Sequence, residues 1–172
     1  MDLLLLLLRI VHVGGAVLWA GGAVMFLLFV VPTIDAVGPS AQPVMAGLLK
    51  PRRLPAYFAI VATLTVLAGA ALFWRDTGGL QSAVLGSGFG TTFGIGGLAG
   101  LVAWVIAIFL VPRAVVRIGA VGAELRAEGV APSAELVARM AAAQRQLRQV
   151  GLALLTFLAI AIVLMSVGRY IP

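Results

Sequence analysis

The chain holds one histidine, and the residues around it define the chemistry it could perform. His12 stands three residues after Arg9 in RIVHVGGAVLWAGG, inside a stretch otherwise suited only to lipid. On a helix, steps of three, four and seven return to one face, so Arg9, His12, Gly15 or Ala16, Trp19 and Gly22 or Ala23 form a single stripe. That stripe has to look into a helix bundle. An ionisable group at bilayer depth costs roughly 2.5–3.5 kcal/mol on insertion scales, so such groups are kept for function or are paired. His12 could ligate haem or copper, relay a proton, or stay neutral and donate to a carbonyl of a neighbouring helix. Imidazole suits iron and copper, and a thioether suits Cu(I). Among the thioethers, Met165 is the one predicted to reach the level of His12, which makes His12 and Met165 the candidate metal ligands. Met25 lies too deep, and Met45 and Met140 belong to the opposite side. Arg9 and Trp19 complete the candidate cofactor contacts, Arg9 sitting near enough to the interface to snorkel towards Asp2 on the same face.

Other chemistries are excluded by what is missing. With no second histidine, bis-histidine haem within one chain cannot form, and with no cysteine there is no disulfide, thiolate site or cysteine nucleophile. The predicted spans contain no carboxylate, which argues against a proton-coupled pump or carrier. GSGFGTTFGIGG, residues 86–97, shares only glycine content with a phosphate loop, since it lacks the lysine and a preceding strand. No basic and aromatic patch outside the spans suggests a nucleic-acid partner.

The elements that must position His12 follow from composition. Of 172 residues, 62% are hydrophobic and 10% charged, and mean hydropathy is +1.15, which marks an integral membrane protein. A hydrocarbon core about 30 Å thick needs roughly 20 apolar residues per helix. Four segments qualify: 3–31, 56–74, 93–111 and 150–167. The first runs unbroken past LWAGGA, and so reads as a span and not a leader. The expected fold is all-α, a single four-helix transmembrane domain over 1–172. Lys50, Arg52, Arg53, Arg113, Arg117, Arg126, Arg139, Arg145 and Arg148 lie in the first and third loops. Only Arg75, Arg169 and the borderline Arg9 fall elsewhere. The positive-inside rule then makes these two loops cytoplasmic and both termini periplasmic. In the third loop, helix formers over 115–127 and 134–149 flank GVAPS, with Ser133 as a cap, so helices three and four extend beyond the membrane as a hairpin. Small residues at Thr92, Gly96 and Gly100 form a seam for close helix packing. Trp74, Arg169 and Tyr170 read as interface anchors. Gly14–Pro32 and Gly96–Pro112 form a faint repeat, each with a glycine pair, a tryptophan and a final Val-Pro. The expected surroundings are the lipid bilayer, with a homo-oligomer or a larger membrane complex as further partners. The leucines at 3–8 cover every face of the helix start and suit either.

RIVHVGGAVLWAGGAVMFLLFVVPTI and LLKPRRLPAYFAIVATLTVLAGAALFW together resemble the first two helices of CopD-like copper-resistance membrane domains and HemJ-type protoporphyrinogen oxidases. The shared pattern is a histidine followed by a tryptophan, a glycine pair and a helix-ending proline, then basic residues before a second helix. By that resemblance His12 is the ligand position, for haem b in the oxidase group or copper in the CopD group, in a bacterial inner-membrane protein. Helix three carries neither the lysine nor the further histidines of the oxidase group. The resemblance therefore implies a fold and a ligand position, not porphyrinogen oxidation. A non-catalytic subunit packed within a larger membrane complex is the alternative.

Overall fold

A computed structural model describes residues 2–50, 53–129 and 133–171. It is 91% helical, with no strand among the described residues. Four continuous helical stretches are long and apolar enough to cross a membrane: Leu3–Val37, Leu54–Asp76, Gly88–Glu128 and Ala134–Tyr170.

The first begins with α1 (Leu3–Met25), whose Asp2 cap accepts from the Leu4 and Leu5 N–H groups. The sequence places its end at Pro32, but the helix passes through that residue. A π turn, Phe26–Val30, precedes Val31 and Pro32, and α2 (Val31–Val37) continues beyond it. Proline has no N–H and its ring crowds the carbonyl four residues back, so widening the turn lets the helix proceed. Just beyond it, the Thr33 hydroxyl donates to the Phe29 carbonyl at 2.7 Å. The third stretch repeats the device: α6 (Gly88–Val105), a π turn at Ile106–Leu110, then α7 (Val111–Glu128) with Pro112 in its first turn. Each π turn ends where Val-Pro begins. The two halves of the sequence repeat thus share a backbone irregularity as well as residues.

Between them lie α3 (Gln42–Leu48), α4 (Leu54–Asp76) and the single-turn α5 (Ser82–Leu85). The stretch between the second and third expected spans, residues 75–92, is partly helical. Ser87 caps α6 by accepting from the Gly90 N–H at 3.1 Å, so that helix starts at Gly88 and not at Phe93. Ser133 does the same for α8 (Ala134–Val167), accepting from Leu136. Helix four accordingly runs unbroken from the expected cap into the apolar span. Val130, Ala131 and Pro132 of the expected GVAPS break, and Arg52 of the first loop, lie outside the described residues.

α1 pairs with α4 and α6 with α8, and the two pairs close around Trp19, Ala23, Ala62, Ala103, Ile106, Leu154 and Leu158. Lipid is as apolar as this core, so close packing rather than water exclusion holds it. The small-residue seam does this between α6 and α8, where Gly96 faces Met165 and Leu164 with no room to spare for a side chain. Beyond the apolar segments, α7 and α8 form the expected hairpin, joined by Arg139 to Glu124 and by Arg117 to Gln146 at 3.0 Å.

At the other end, α4 runs into a tight turn. Thr77, fully buried, donates to the Phe73 carbonyl and accepts from the Leu80 N–H at 3.1 Å. Gly78, Gly79 and Leu80 follow with φ of 61°, 82° and 68°. Two glycines take this left-handed course freely, whereas Leu80 holds it at a cost. Leu80→Gly is therefore expected to stabilise the protein by about 0.5–1 kcal/mol, the relief exceeding the added chain entropy. Thermal unfolding in detergent measures it, and a lowered midpoint would contradict the strain.

Candidate functional site

His12 is half-buried between α1 and α4. Its Nδ1 lies 2.8 Å from the Thr65 carbonyl oxygen. A carbonyl only accepts, so Nδ1 carries the proton and donates. In the neutral ring Nε2 is then a bare lone pair, and it has no hydrogen-bond partner among the described residues. α4 makes room for the ring with Gly69, where a Cβ would come within 2.5 Å of Cε1 and 2.7 Å of Nδ1. Thr65 donates its own hydroxyl to the Val61 carbonyl at 2.8 Å, which leaves its backbone oxygen to His12. Of the roles open to His12, donation to a carbonyl of a neighbouring helix is the one the structure displays, and the same bond would orient the ring for ligation through Nε2.

The remaining candidates occupy distinct positions. Trp19 is 2% exposed at the bundle centre, and its Nε1–H is enclosed without a hydrogen-bond partner. Trp104 differs, donating to Thr63 Oγ1 at 3.0 Å. Arg9 is exposed, and among the described residues it forms no ion pair. The expected approach of Arg9 to Asp2 is not what the structure shows. Asp2 is engaged by Arg75 at the end of α4 and by the start of α1, so its oxygens are already committed. Met165 packs against Gly96 of α6. α8 runs antiparallel to α1, since Leu27 meets Gly151 while Trp19, earlier on α1, shares the core cluster with Leu154 and Leu158, later on α8. Seven residues further along each helix, Met165 therefore reaches the level of His12. The two share a depth but contact different helices, and no described contact joins them.

No group of three or more His, Cys, Asp or Glu side chains among the described residues could hold a metal ion. The donor set here is one imidazole with one thioether at its level. The chain matches no family model, no curated protein and no solved structure. The site is therefore read from its own atoms.

Thr65 and Gly69 are the residues that sequence reasoning did not single out. Their signal is the pairing of a hydroxyl residue and a glycine four apart in LTVLAGAA, which puts both on one helical face. Tyr57 adds a second tie between the same helices, donating to the Leu18 carbonyl at 2.8 Å.

The Asp2–Arg75 pair closes the end of this helix pair. The Leu5 N–H, with further help from Arg75 and Leu4, holds the Asp2 carboxyl below its ordinary 3.8 despite some desolvation. A depressed folded-state value means the stabilisation is complete above the unfolded value and is lost as pH falls through the folded one. Wild-type stability is thus expected to drop below about pH 3.8, and Asp2→Asn to flatten that part of the curve. An unchanged acid limb in Asp2→Asn would remove Asp2 from the account.

Proposed function

We propose that the chain is a small CopD/HemJ-like protein of a bacterial inner membrane that holds haem b through Nε2 of His12. The observation that carries this reading is the Nδ1 bond to the Thr65 carbonyl, which orients the ring and engages the nitrogen other than Nε2. His12 would hold the haem iron through Nε2, the nitrogen that the Thr65 bond does not use. Arg9, one turn towards the termini and in no ion pair among the described residues, would supply a cation for a propionate. Bound there, haem would supply one-electron exchange at iron. The chain's own part is to fix the ring, through the Thr65 carbonyl and the space left at Gly69. Copper is less well served, since His12 and Met165 face different helix pairs and Cu(I) needs at least two soft or borderline donors.

The test is an absorption spectrum with pyridine haemochrome and metal analysis of protein purified after expression with haem and copper supplied. A Soret band is expected. Protein empty of both haem and copper would overturn the reading.

A second reading is favoured by one observation. Gly14 and Gly21, seven apart on α1, are exposed and have open space where a side chain would stand. A helix of another chain would fill it, as in an accessory subunit of a larger membrane complex. Co-purifying subunits without a Soret band would select this alternative.

Both readings place the termini in the periplasm, supported by the concentration of basic residues in the first and third loops. A reporter fused after Pro172 should behave as periplasmic and one inserted near Gly129 as cytoplasmic. The opposite pattern would invert the site's exposure.

A further inference from the structure

The hairpin of α7 and α8 segregates its charges along its length. The Arg117–Gln146 and Arg139–Glu124 contacts share one antiparallel register, seven residues on along α7 matching seven back along α8. That register sets Arg148 opposite Val115 and Arg145 opposite Ile118. Arg113, Arg117, Arg145 and Arg148 therefore fall within about five residues of axial length, about 8 Å at 1.5 Å per residue. This level lies directly after the Val-Pro exit of helix three. All four are exposed, and no carboxylate of the hairpin shares their level. Arg117 binds the neutral Gln146, which leaves its charge uncompensated. The carboxylates stand further out: Glu124 pairs with Arg139, Glu128 accepts from the Ser133 N–H, and Glu135 is in the first turn of α8. Across the same end, the first loop adds exposed Lys50 and Arg53 against Asp35 alone.

We infer that this four-arginine level is a docking surface for the phosphates of anionic phospholipid headgroups. The charge is concentrated where helices leave the apolar layer and is balanced where they project away from it. A partner recognised by the hairpin as a whole would meet the opposite distribution, with acid at its tip. Guanidinium groups suit phosphate because they bind it through paired N–H donors. The inference does not depend on His12 or on any cofactor.

Native mass spectrometry of the full chain, released from vesicles of phosphatidylcholine with and without phosphatidylglycerol, tests it. Wild type is expected to retain phosphatidylglycerol in preference to phosphatidylcholine, and added salt should erode the preference. R113Q/R117Q/R145Q/R148Q should abolish it, the corresponding four lysine substitutions should keep most of it, and R126Q/R139Q should leave it unchanged. If the glutamine variant fails to fold, the lysine variant and the salt dependence still decide. No preference in wild type, a salt-independent preference, equal loss in R126Q/R139Q, or displacement of phosphatidylglycerol by an acidic protein bound at the same arginines would overturn the proposal.

Discussion

His12→Ala is expected to empty the protein of haem altogether. No other imidazole exists in the chain, and a thioether alone is a poor ligand for ferric haem. The fold should survive, because the substitution removes one interhelical hydrogen bond, averaging about 0.6 kcal/mol in a membrane protein. A Soret band that persists undiminished in His12→Ala would move the ligand elsewhere. Gly69→Ala probes the same site from the facing helix. Its Cβ would intrude to within 2.7 Å of Nδ1 and push the ring off the Thr65 carbonyl. Nitrogen NMR of the imidazole should then lose the signature of an Nδ1-protonated ring, with haem occupancy falling in parallel. Retention of that signature would show that the ring is held by something other than Thr65.

The largest loss of stability is expected from Gly90→Ala. The added Cβ would run into the Val84 carbonyl oxygen and lie 2.7 Å from the Leu85 Cα. Those atoms are backbone of α5 and cannot swing aside as a side chain can. Relief requires α5 to lift from the start of α6, which breaks the Ser87 cap as well. We expect about 3 kcal/mol of destabilisation, at the upper end of ordinary overpacking. Gly97→Ala is the control, since nothing lies within 4 Å of its Cβ and alanine favours a helix by about 1 kcal/mol. Midpoints of thermal unfolding that shift alike in the two variants would show that α5 is not packed against Gly90.

The four apolar segments, the cap at Ser133 and the hairpin beyond the membrane were legible in the sequence because each rests on local information: a run of apolar residues, a side-chain oxygen before a helix, a helix-forming composition. Pro32 misled for the same reason. Its effect on backbone bonding is local, but the π turn that absorbs it adds a residue to the turn and is not encoded by any one side chain. The start of α6 moved from Phe93 to Gly88 because glycine-rich sequence has low helix propensity, which the Ser87 cap and the contact with α5 override. At the site, the face of His12 could be read from its spacing to Trp19. Its partner could not. Thr65 is fifty-three residues away, and only the packing of α1 on α4 brings a carbonyl within 2.8 Å. Asp2 shows the complementary failure: helical spacing allowed Arg9, but the carboxylate was already held by its own helix and by Arg75.

The unbroken length of α8 has a mechanical consequence. Its 34 residues extend about 50 Å at 1.5 Å per residue, with one portion clamped to α7 by Arg139 and Glu124 and the other placing Leu154 and Leu158 in the core cluster that holds Trp19. It acts as a stiff lever with no joint of its own. Helix three, its companion on both sides of the membrane boundary, does have a joint, the π turn at Ile106–Leu110. The departure from regular α-helical bonding in this pair therefore lies on helix three, at Ile106, a residue of the same buried cluster as Trp19.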